Sequence, residues 1–139
     1  VLRHYPHVWH DYAAHVARSR SPTAGTAILV RAIDALPTCP LLSFELSHQQ
    51  EILGNVAAAQ KTLDTLLEKA PSPLAFIRAM ELARRTQGLD AARRMFLKAR
   101  RSSHGGWQVY VFAARLELQH AHNVDVARNL FEFGMKQYG

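Results

Sequence analysis

The sequence holds one cysteine, Cys39, in 139 residues, so no disulfide framework can stabilise it. Cys39 sits between Thr38 and Pro40 with no histidine or acid spaced to activate a thiolate, and it reads as a structural residue. No apolar run approaches the roughly 20 residues that a membrane-spanning helix requires. The opening "VLRHYPHVWH" also lacks the apolar stretch of a signal peptide, so the expectation is a soluble protein of a reducing, intracellular setting. The seven glycines form no phosphate-cradling loop, and no nucleophile motif is present. Glu45 and Glu51, six apart, do not share a helix face, so they build no paired acid–base site on one helix. An enzyme is not expected.

Strand-like alternation is missing too. Apolar residues recur at helical spacing almost throughout, which predicts an all-α fold. In the last segment Ala127, Leu130, Phe131, Gly134, Met135 and Tyr138 make one helical stripe. Earlier segments share a plan: a helix rich in large side chains, a break, and a second helix opening on alanine. The alanines Ala27, Ala59, Ala92 and Ala127 are 32, 33 and 35 residues apart. The aromatic residues of the first helices, Trp9, Phe44, Phe76 and Tyr110, are 35, 32 and 34 apart. Two landmarks with one period indicate a solenoid of helical hairpins, in which no unit buries its own face alone.

Punctuation falls where hairpins need it. Pro6, Pro40 and Pro73 mark starts of first helices, with Ser72 as a cap, because the first helical turn has no use for the missing N–H. Gly54 with Asn55, Gly88, and Asn123 fall between paired helices. Pro37 and Pro71 stop second helices. The units expected are 5–37, 40–71, 73–102 and 107–139, in one segment with no second domain, cut from a longer array. Small residues at the start of each second helix let two backbones approach, leaving room for a ring opposite.

A first helix with a ring, an aromatic or small residue three further on and an acid four after that, followed by a helix opening on Ala-Arg, resembles the half-a-TPR (HAT) repeat of RNA-processing proteins. Trp9 and Tyr12 match in unit one, Phe44 and Glu51 in unit two, and Phe76, Ala79, Ala92 and Arg93 in unit three. Tyr110, Ala113, Glu117, Ala127 and Arg128 match in unit four. The pattern departs at Val16 and Ala83 in place of the acid, Ser47 in place of the second ring, and Ile28 and Gln60 in place of the arginine. "FIRAMELARRTQGLDAARRMFLKAR" and "VYVFAARLELQHAHNVDVARNLFEFGMKQYG" are, within that family, similar to the suppressor of forked group, the large HAT-repeat subunit of the cleavage stimulation factor. The resemblance implies a nuclear scaffold for pre-mRNA 3′-end cleavage and polyadenylation, homodimeric at full length, holding other protein subunits. It also implies that this segment opens the second half of a two-part array.

The charge is uneven. Lysine and arginine number 17 against 11 acids, a net charge of +6. Between residues 78 and 101 the basic residues Arg78, Arg84, Arg85, Arg93, Arg94, Lys98, Arg100 and Arg101 face only Glu81 and Asp90. Such a patch attracts an acidic protein or RNA. Single-stranded RNA also asks for exposed rings on which bases stack, and the rings here are phased toward the core. Arg93 and Arg128 have a structural alternative in an acid on an adjacent helix, and Arg100 and Arg101 in a helix C-terminus. RNA contact is therefore expected to be indirect. His4, His7 and His10 recur every three residues, but no cysteine or carboxylate completes a tetrahedral set, so neither metal nor cofactor is expected. His120 and His122 read as a frayed helix end.

Other functions carry their own expectations. Direct RNA binding by unit three, a TPR-like receptor for a peptide tail, and a HAT scaffold of splicing or ribosome assembly share the fold but differ in the groups lining the surface.

Overall fold

The computed structural model describes residues 5–138. His4, and Gly139 at the end of the expected fourth unit, lie outside them. The chain is all-α and built of helical hairpins, the α-α solenoid class. The helices are α1 (Pro6–Ser19), α2 (Pro22–Ala35), α3 (Pro40–Ile52), α4 (Val56–Lys69), α5 (Pro73–Gln87), α6 (Leu89–Arg101), α7 (Gly106–Leu116) and α8 (Val124–Tyr138), with a π-helical turn, Glu117–Ala121, after α7. Consecutive helices pair as α1 with α2, α3 with α4, α5 with α6 and α7 with α8. Two compact units divide between Ala70 and Pro71, two hairpins to each.

In the first unit, α3 packs on both α1 and α2, so each hairpin supplies a wall the other lacks. Its core is Ala13 and Val16 from α1, Ile28, Leu29 and Ala32 from α2, and Leu42 and Leu46 from α3, with Trp9 and Cys39 packed against it. Cys39 precedes Pro40, the first residue of α3, and serves there as a half-buried helix-flanking residue. In the second unit α7 packs on both α5 and α6. Phe76, Met80, Leu82, Phe96, Val109, Tyr110 and Leu116 fill that core.

The sequence punctuation has direct counterparts. Proline opens α1, α3 and α5, and also α2, where the Ser21 hydroxyl accepts from Ala24 N–H at 3.2 Å. Ser72, Asn55 and Asn123 cap α5, α4 and α8 by accepting the N–H of the third residue on. Gly88 alone joins α5 to α6, at φ +96°, in the region that only glycine enters without strain.

These caps give a register for the second helices. Gly25, Ala59, Ala92 and Ala127 each lie four residues after the cap, each donates its N–H to the cap carbonyl, and each is buried. Ala27 is therefore corrected: it is exposed, and Gly25 takes the position of close approach. A Cβ on Gly25 would lie 2.7 Å from Ala17 Cβ and 3.0 Å from Ala13 O, so the α1–α2 hairpin is too tight even for alanine. The residue following that position is Thr26 rather than Ile28, which is in the core. Tyr12 is likewise corrected. It is 49% exposed, and Ala13, one step further round α1, holds the buried place.

The stretch before Asn123 is ordered rather than frayed. The carbonyl of Glu117 accepts from both His122 N–H and Asn123 N–H, and His122 adopts the left-handed conformation at φ +52° that closes the turn.

Candidate interaction surface

The eight basic residues divide by helical phase. On α6, 100° per residue puts Arg93 and Arg100, seven apart, on one edge and Arg94, Lys98 and Arg101 on another. The first edge turns toward α7 and α8. Arg93 donates from Nε to Glu117 Oε1 at 2.7 Å and from Nη2 to Oε2 at 2.9 Å, while Nη1 reaches Asp90 Oδ1 at 2.9 Å. Glu117 is 6% exposed, so a two-pronged bond to an arginine on the neighbouring helix satisfies an otherwise buried carboxylate. The hydrogen bonds to Glu117, and then to Asp90, outweigh desolvation and hold the Arg93 guanidinium even more firmly protonated than usual. Arg100 lies over the Phe133 ring, 5.4 Å from its centroid. Both cations are tied into their own unit.

Arg78 and Arg85 on α5 flank Glu81, at 3.5 Å and 3.9 Å, which offsets part of their charge. Arg84 is half-buried. Arg94, Lys98 and Arg101 face solvent, and among the described residues no acid lies within 4.0 Å of them. Asp90, one turn before Arg94, is engaged by Arg93. Of these eight residues, the exposed ones with neither an acid nor a ring against them among the described residues are thus three, all on α6.

The repeat-packing residues are placed unevenly. Phe76, Tyr110, Ala59, Ala92, Ala113 and Ala127 are buried. Trp9 and Phe44 are half-buried, and the buried places beside Phe44 belong to Ser43 and Ser47. Tyr110 forms an aromatic cluster with Phe96 at 5.2 Å, Phe133 at 5.4 Å and Tyr138 at 5.9 Å. Burial, and then Tyr138, push its phenol pKa up, with Arg100 partly opposing. Sequence reasoning missed Trp107, which is 51% exposed at the start of α7. Its position next to the "SSHGG" break was the available signal.

His10 of the spaced histidines meets Glu45 of α3 at 3.4 Å and Asp11 at 3.8 Å. Glu45 in turn accepts from Gln49 Nε2 at 3.1 Å. Among the described residues no helix is long and apolar enough to cross a membrane.

The sequence profile of the family described as Suppressor of forked protein (Suf) matches residues 1–139. The Arabidopsis thaliana protein named cleavage stimulation factor subunit 77 is 34% identical over 137 residues, which is 99% of this chain and 19% of that protein. The mRNA 3′-end-processing protein RNA14 of Candida glabrata is 28% identical over 157 residues, 96% of this chain and 24% of that protein. Protein suppressor of forked of Drosophila melanogaster is 33% identical over 66 residues, 48% of this chain and 9% of that protein. The chain spans a quarter or less of the length of each of these relatives.

Proposed function

The chain belongs to the suppressor of forked family, and on that premise we propose that it is a non-enzymatic scaffold segment in pre-mRNA 3′-end cleavage and polyadenylation. It works in the nucleus as one stretch of a longer HAT array, in a full-length protein that forms a homodimer and holds other protein subunits. The observation that carries this reading is the likeness over nearly the whole chain to a protein named as a cleavage stimulation factor subunit. The hairpins support it. Each buries its face on a neighbour, and the Arg93–Glu117 clamp fixes one hairpin on the next, so side chains on the outer faces keep a set geometry for partners.

The test is affinity purification of the tagged full-length protein from nuclei, followed by 3′-end cleavage of a reporter transcript in depleted extract. Deleting this segment is expected to lose co-purifying subunits and cleavage together. Unchanged recovery and unchanged cleavage would overturn the scaffold role.

A second reading, direct single-stranded RNA binding, is supported by the three accessible cations of α6. It is weakened by the identity of the residue among them, a leucine rather than a ring.

A further inference from the structure

We propose that the solvent face of α6, formed by Arg94, Leu97, Lys98 and Arg101, docks an acidic amphipathic segment of a protein partner. The inference rests on the scaffold reading and narrows it to one surface and one partner chemistry. The four residues stand at i, i+3, i+4 and i+7, within one stripe of the helix. All four are exposed, Leu97 at 45%.

Arginines turned inward on the same helix are occupied: Arg93 by Glu117 and Asp90, Arg100 by the Phe133 ring. The outward cations lack such partners among the described residues. Three like charges within two turns repel one another, a cost that an incoming acidic segment would relieve.

Leu97 decides the chemistry of that segment. A leucine between cations offers a nucleic acid neither a hydrogen bond nor a stacking plane, and the ring of this stretch, Phe96, is buried on the opposite side. A peptide helix with glutamates or aspartates around one apolar side chain matches both features: the acids meet Arg94, Lys98 and Arg101, and the apolar side chain covers Leu97. Opposite charge gives the encounter its speed, and the leucine contact gives it selectivity over other polyanions.

The experiment is a fluorescence-anisotropy titration of the purified chain with three labelled probes of matched charge. They are a glutamate-rich peptide of about 16 residues with a leucine at each turn, the same peptide with serine for leucine, and oligouridylate. The leucine peptide is expected to bind, and its affinity to fall about tenfold on Leu97→Ser or on changing its own leucines to serine. Lys98→Glu combined with Arg101→Glu is expected to abolish binding, Lys98→Glu alone to weaken it, and Arg78→Glu on α5 to leave it nearly unchanged. Circular dichroism checks that each variant keeps its helix content.

Oligouridylate binding at least as tightly, with no response to Leu97→Ser, would make this an RNA surface and overturn the proposal. Absence of binding by either peptide at about 0.05 M salt would reduce the face to a solvated one. Subunit recovery from nuclei reports on the scaffold reading separately. If recovery depends on the segment while the peptide does not bind, the α6 surface falls and the scaffold stands.

Discussion

Gly134 on α8 lies against Tyr110 on α7 so closely that an added Cβ would sit 2.9 Å from the tyrosine Cβ. The contact is to the root of the ring, which has no rotamer with which to withdraw. Gly134→Ala therefore sets two effects against each other. Alanine gains up to about 1 kcal/mol of helix propensity, and overpacking costs about 1 to 3 kcal/mol. The expected net result is a loss of about 1 kcal/mol, read as a lower urea midpoint, and Gly134→Val should lose more.

Gly25 makes the same argument in the first unit, with Ala27 as its control. Gly25→Leu drives a side chain into Ala17 and the Ala13 carbonyl and should cost about 3 kcal/mol or prevent folding of that hairpin. Ala27→Leu places the same side chain at an exposed position and should change stability by no more than about 0.5 kcal/mol. Equal costs would show that the small-residue position had been misassigned.

Much of this fold was legible because its boundaries are chemical. Proline as the first residue of a helix, glycine or asparagine between paired helices, and apolar spacing within them name the hairpins without tertiary information. The small-residue register was harder. Alanine at position 27 suits a helix anywhere, whereas Gly25, four after the Ser21 cap, is required by a contact with α1 that no local pattern reveals. The basic stretch was legible as composition but not as a surface. Adjacent arginines such as Arg93 and Arg94 differ by 100° in direction, and only the acid that Arg93 meets, 24 residues on, shows which of the two is accessible.

Arg93 and Glu117 should be energetically coupled. Arg93→Ala leaves the Glu117 carboxylate buried without its strongest donors and is expected to cost about 2 kcal/mol. Arg93→Ala together with Glu117→Ala should cost less than the sum of the two single changes, by about 1 kcal/mol or more in a double-mutant cycle. Additive losses would mean that the pair does not fasten the two hairpins.

Alkaline pH should loosen the second unit through Tyr110. Its folded pKa is raised above the value near 10 of an exposed phenol, so the folded state prefers the protonated ring. That contribution is fully present below about pH 10 and is lost as pH rises through the raised folded value. Tyr110→Phe removes the ionising group. The stability difference between it and the parent should therefore be flat through neutral pH and shift in favour of phenylalanine above about pH 10, as followed by urea melts across the range.

The widened turn at Glu117–Ala121 acts as slack in the chain. Ala92 and Ala127 are 35 residues apart, where Ala59 and Ala92 are 33 apart, yet Ala127 is buried against its hairpin partner as its counterparts are. A π-helical turn takes up surplus length inside a helix by enlarging one loop of backbone, so the surplus need not rotate the following helix away from its packing face. A hairpin longer than its counterparts can thereby keep its second helix packed on its first, its extra residues absorbed where the chain turns.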